Sequence, residues 1–179
     1  MEASSEPGLE GFTSIKLQRL DMVCETALRN GQYCLIFDKT NNAEIYFNYK
    51  ATLKELNKEL VGVQMQRKTP HEVCESLRST LVYAMRCGDR YVIYLDKMRG
   101  DFKNQLNFPP NHWPSEEIFD FKTWRENDCY MKVVKEEENE DLLKQKGRYF
   151  MNDNFQMIIL ASYHSDEDCE ELVKLIPHQ

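Results

Sequence analysis

The stretch from His71 to Asp96 constrains the fold more than any other part of the chain. His71 to Cys87 has the period of an amphipathic helix: Val73, Leu77, Leu81, Ala84 and Met85 mark one face, while Glu72, Glu75, Arg78 and Arg86 fall largely outside it. Pro70 suits the first helical position, and Gly88 supplies the left-handed exit. Two residues later Tyr91-Val92-Ile93-Tyr94-Leu95 runs apolar without alternation and ends at Asp96. A continuous apolar run of that length is a strand covered on both faces. A helix closed by Gly and followed at once by such a strand is a unit of a parallel α/β sheet.

Two further runs repeat the signal. Tyr33 to Asp38 follows a helical pattern over Ser14–Leu28, read with Ser14 as cap and Asn30-Gly31 as stop, and gives way to the turn residues Thr40-Asn41-Asn42. Phe155 to Ala161 precedes Ser165, a cap with Asp166, Glu167 and Asp168 in the first helical turn; Leu172, Leu175 and Ile176 give the apolar face and Pro177 the end. These three runs are expected nearest the centre of the sheet. Glu44–Lys50 fits a half-buried strand or the opening of a helix. Thr52–Leu60 reads as weakly helical, and Val61–Thr69 as strand or loop. Asn107–Ser115, with three prolines, reads as a loop. Ser115–Trp124 reads as a short helix capped by Ser115, Cys129–Val134 as a strand, and Glu136–Lys146 as a charged, solvated helix.

The 179 residues are 41% hydrophobic and 11% aromatic, which suits one folded domain over 14–179 behind a disordered lead-in, 1–13. A formal charge of −7 argues against a nucleic acid or an anionic membrane as partner. No apolar run nears the ~20 residues of a membrane span, and Met1–Gly11 lacks the pattern of a signal peptide, so a cytoplasmic setting is expected. The six cysteines, Cys24, Cys34, Cys74, Cys87, Cys129 and Cys169, are scattered and read as buried or inert thiols.

Strands ending in Asp invite a nucleotide-binding reading, which needs a glycine-rich turn so that backbone N–H groups can approach phosphate. The glycines stand at 8, 11, 31, 62, 88, 100 and 147. No two are five apart, so the P-loop spacing is absent, and so is G-x-G-x-x-G. What remains is the Walker-B-like strand ending in Asp96, the candidate cofactor-binding residue, at a place where an Asp helps to hold magnesium. Lys97 stands where a second acid would polarise water, and an Asp at the end of a buried strand is common for turn reasons alone. His71 and Cys74 lie three apart on one helix with no second pair of zinc spacing, so a first-turn His and a buried Cys are expected and no metal. His164-Ser165-Asp166 reads as loop plus cap. A Cys–His nucleophile pair would have to declare itself by a reactive thiol. Trp113 and Trp124 flank the proline-rich loop and serve either the core or a partner contact.

Three blocks together carry a resemblance: Leu35-Ile36-Phe37-Asp38-Lys39-Thr40-Asn41-Asn42-Ala43; Leu77 through Gly88 to Asp96; and Asn152-Asp153-Asn154-Phe155 through Leu160-Ala161-Ser162. In order and spacing they resemble the ATP-binding dynein motor region, the fifth AAA+ module of dynein heavy chains, and the related module at the C-terminal end of IQ-motif and ankyrin-repeat proteins. The likeness covers roughly residues 33 to 175. Lys39 replaces a usual Pro, Asp96 ends a strand that carries Glu–Asn in dynein, and the third block lacks the usual Thr-Thr. The resemblance implies a three-layer α/β domain with a mainly parallel sheet, a degenerate P-loop (AAA+-like) domain without turnover. It further implies a protein partner in an axonemal or microtubule-associated complex of the cytoskeleton or cilium, and no cofactor. The alternative is a nucleotide-binding sensor or enzyme with an atypical phosphate site.

Overall fold

A computed structural model describes residues 10–178; residues 1–9 of the expected lead-in lie outside it. Four parallel strands form one sheet: β1 (Cys34–Phe37), β2 (Thr52–Glu55), β3 (Arg90–Asp96) and β4 (Gln156–Ala161), in spatial order β1-β4-β3-β2. Helices cover both faces. On one side α1 (Leu20–Arg29) and α2 (Asn42–Lys50) bury Leu20, Cys24, Ala43 and Phe47 against Val92, Tyr94, Ile158 and Leu160. On the other, α3 (Leu56–Gln64), α4 (Pro70–Cys87), the short α5 (Ser115–Ile118), α6 (Phe121–Trp124) and α7 (Asn127–Tyr130), and α8 (Asp166–Leu175) enclose the larger core. Trp113 and Trp124 both lie wholly inside that core and have no surface to offer a partner.

The expected helix α4 is present, started by a capping box: the Thr69 hydroxyl accepts from the Glu72 amide (3.2 Å) and the Glu72 carboxylate from the Thr69 amide (2.7 Å). Gly88 ends it at φ +72°, where a Cβ would lie 2.6 Å from Asn152 Cγ. Here the glycine answers both to its dihedral and to the close approach of the loop that enters β4.

β3 and β4 are central, but the expectation for Tyr33–Asp38 is corrected. β1 is an edge strand and its four residues are only half-buried. The other edge strand is β2, whose Thr-Leu-Lys-Glu carries no apolar run; pairing with β3, Thr52 to Tyr91 through Glu55 to Tyr94, makes it a strand. Tertiary pairing here overrides a weak local preference. Glu44–Lys50 is helical.

Five further expectations fail. Val61–Gln64 completes α3, so only the rest of Val61–Thr69 is loop. Ser14 caps nothing: a 3₁₀ turn at Leu17–Arg19 precedes α1, which starts at Leu20. Ser115 lies inside α5, buried, its hydroxyl donating to the Leu106 carbonyl at 2.7 Å; the second short helix, α6, is capped by Asp120. Cys129–Val134 forms α7 and a 3₁₀ turn, not a strand. Glu136–Lys146 is not a helix. After a 3₁₀ turn it folds back, with Glu140 bridging to Lys146 and the Asp141 carboxylate accepting from the amides of Leu143 (2.8 Å) and Gln145 (2.9 Å). Phe12, assigned by sequence to the lead-in, stacks on Phe37 with ring centroids 5.2 Å apart.

Candidate functional site at the carboxyl edge of the sheet

In an open parallel sheet, ligands bind beyond the carboxyl ends of the strands, where successive connections leave for opposite faces. That point lies between β1 and β4. From β1 the chain turns to α2 on one face, and from β4 to α8 on the other. A phosphate held there would sit on the amides that open α2.

Those amides are taken by the chain itself. Asp38 Oδ1 accepts from the Thr40 amide (2.8 Å) and hydroxyl (2.6 Å), and Asp38 Oδ2 accepts from the Ala43 amide (2.7 Å). The Thr40 hydroxyl in turn accepts from the Asn42 amide at 3.3 Å. Asn41 adopts φ +60° to close the turn. Partial burial pushes the Asp38 pKa up, but the hydrogen bonds from Thr40 and from the amides of Ala43, Thr40 and Asn42 outweigh it and hold the carboxyl below its ordinary value. An ionised carboxylate therefore occupies the helix terminus where an anion would bind, and repels one.

Asp96 is not joined to Asp38, because β4 separates their strands. It sits at φ +52° beyond a register shift between Tyr94 and Asp96. Its carbonyl accepts from the Ser162 amide (2.8 Å), and its carboxylate faces the Tyr94 hydroxyl (3.3 Å). This is a strand terminator's set of contacts. Among the described residues no three His, Cys, Asp or Glu side chains converge as metal ligands.

The other candidates stay apart. Cys74 is buried, and burial pushes its thiol up to about 12. His71 packs edge-on to His112, centroids 4.5 Å apart. Ser165 caps α8, accepting from the Asp168 amide at 3.2 Å, as its sequence context implies. Cys24, Cys74 and Cys169 are all buried, which denies each the access a nucleophile needs. No helix among the described residues is long and apolar enough to cross a membrane.

Sequence reasoning treated Asp38 as the end of a strand and missed its carboxylate as the group that closes the site. The signal was present: an Asp followed by Thr-Asn-Asn is an Asx turn able to cap a following helix.

Fold and site together define a four-stranded, all-parallel α/β domain whose switch-point helix is capped by its own acid. The chain matches no protein-family model, no curated protein and no solved structure.

Proposed function

We propose that this domain is a non-catalytic, dynein-related AAA+-like module that works by binding protein partners in a cytoskeletal or ciliary setting. The observation that carries the proposal is the Asp38 carboxylate seated on the Thr40 and Ala43 amides. A nucleotide-binding sensor would need those amides free and that charge gone. The absence of glycine-rich spacing supports the same reading from the sequence side. The dynein relation and its setting rest on the three-block resemblance, and the order of strand, helix and buried strand is in keeping with it.

Thermal unfolding with and without millimolar Mg-ATP tests the proposal, because a ligand that binds the folded state raises the transition by mass action. The expected result is an unchanged transition. A rise that Asp96→Ala abolishes would overturn the reading in favour of the sensor.

A further inference from the structure

We infer that Cys24 and Cys34 form a site of reversible covalent modification, at which a peroxide joins them in a disulfide that ties α1 to β1. This goes beyond the reading above and does not rest on it.

The chain brings the two residues together where it first turns back. Gly31 takes φ +71° and the Gln32 amide donates to the Ala27 carbonyl (2.9 Å), so β1 returns beside α1. Cys24, midway along α1, is wholly buried. Cys34, the first residue of edge strand β1, is half-buried and packs into the same cluster. The two side chains are hydrogen-bonded, sulfur to sulfur. From β4, Gln156 reaches both residues: its Nε2 donates to the Cys24 carbonyl (2.9 Å) and to Cys34 Sγ (3.6 Å). That amide is fully buried, and among the described residues its Oε1 has no partner.

Two thiols in contact ionise as a pair. The Cys24 thiol is drawn down, chiefly by the Cys34 S–H, against burial and with help from the Arg90 guanidinium. The proton between the sulfurs can pass either way, and the Gln156 amide stabilises negative charge when it rests on Cys34. The other half-buried thiols are placed differently: Cys87 lies against Tyr83 and Cys129 against Glu117.

The chemistry follows from which residue solvent reaches. The Cys34 thiolate attacks one oxygen of hydrogen peroxide; the O–O bond breaks, hydroxide leaves and Cys34 becomes a sulfenic acid. The Cys24 thiolate then attacks the Cys34 sulfur; the S–S bond forms, the S–O bond breaks and a second hydroxide leaves. The two thiol protons turn both hydroxides into water. Two electrons pass from the sulfurs to the peroxide. Cys24 needs no route to solvent, because it attacks only its neighbour. A thiol reductant reverses the link by exchange at the half-buried Cys34.

Peptide mapping of the reduced full chain after treatment with one equivalent of hydrogen peroxide tests this. Trypsin separates Leu20–Arg29 from Asn30–Lys39. The expected product is these two peptides joined and lighter by two hydrogens, with free thiols falling from six to four and dithiothreitol restoring them. In guanidinium chloride the linkage should slow about tenfold or more, since the fold supplies the proximity. Cys24→Ser should leave Cys34 as a sulfenic acid that dimedone captures and that the parent does not accumulate. If Cys24→Ser does not fold, the parent's map decides. A chain that links other cysteines first, that keeps Cys24 and Cys34 as thiols, or that links them equally fast when unfolded would overturn the inference.

Discussion

The Arg78 guanidinium, 1% exposed on α4, grips the Glu138 carboxylate 60 residues later with two prongs, Nη1 to Oε2 at 2.6 Å and Nη2 to Oε1 at 3.0 Å. Its Nε and Nη2 also donate to Glu75 (2.9 and 2.8 Å), and its Nη1 to the Val133 carbonyl (2.6 Å). All five N–H donors are used. This cation pins the irregular segment between β3 and β4 to α4, and explains why Glu136–Lys146 abandons a helix.

Removing Arg78 leaves Glu138 and the Val133 carbonyl without their partner. Arg78→Met should cost about 3–5 kcal/mol, read by urea unfolding. Arg78→Lys should recover little, because an ammonium cannot reproduce the planar fork.

The same cluster sets the acid limb of stability. The Arg78 hydrogen bond, opposed by burial and helped by Lys135, holds Glu75 at about 2, against 4.5 for a free side chain. Glu138 is also lowered, with burial opposing and Arg78 prevailing. Both carboxyls have depressed folded pKa values, so their contribution is present above the unfolded value near 4.5 and is lost as pH falls toward about 2. The unfolding free energy should drop across that window, and Glu75→Gln should make the drop shallower.

Asp38 supplies the cap of α2. Asp38→Ala should destabilise the domain by about 1 kcal/mol and raise hydrogen exchange at the Thr40 and Ala43 amides first. Equal protection in the variant and the parent would refute the cap.

Gly88→Ala places a Cβ both in a left-handed conformation and against Asn152. The loss should exceed about 1 kcal/mol. Asn152→Ala in the same chain should return part of it, and a double-mutant cycle measures that part as coupling.

The well-read elements are those whose signals are local. For α4, Pro70 at one end, Gly88 at the other and an apolar stripe between them settle the helix whatever surrounds it. β3 and β4 announce themselves because both faces must be apolar. Ser165 caps α8 for the same local reason. At the site, the missing glycine spacing was legible, and Asp38 was placed at the strand end; its hydrogen bonds depend on how the next five residues turn.

What the sequence by itself determined is the helix–strand alternation, the two central strands and the lack of a glycine cradle, because these depend on periodicity and on neighbours a few residues away. Only the tertiary structure decided that Thr52–Glu55 is a strand, that β1 lies at an edge, and that Glu138 serves Arg78 instead of a helix. Each of those outcomes comes from a partner dozens of residues distant, whose hydrogen bonds outweigh the modest local preferences that a sequence window records.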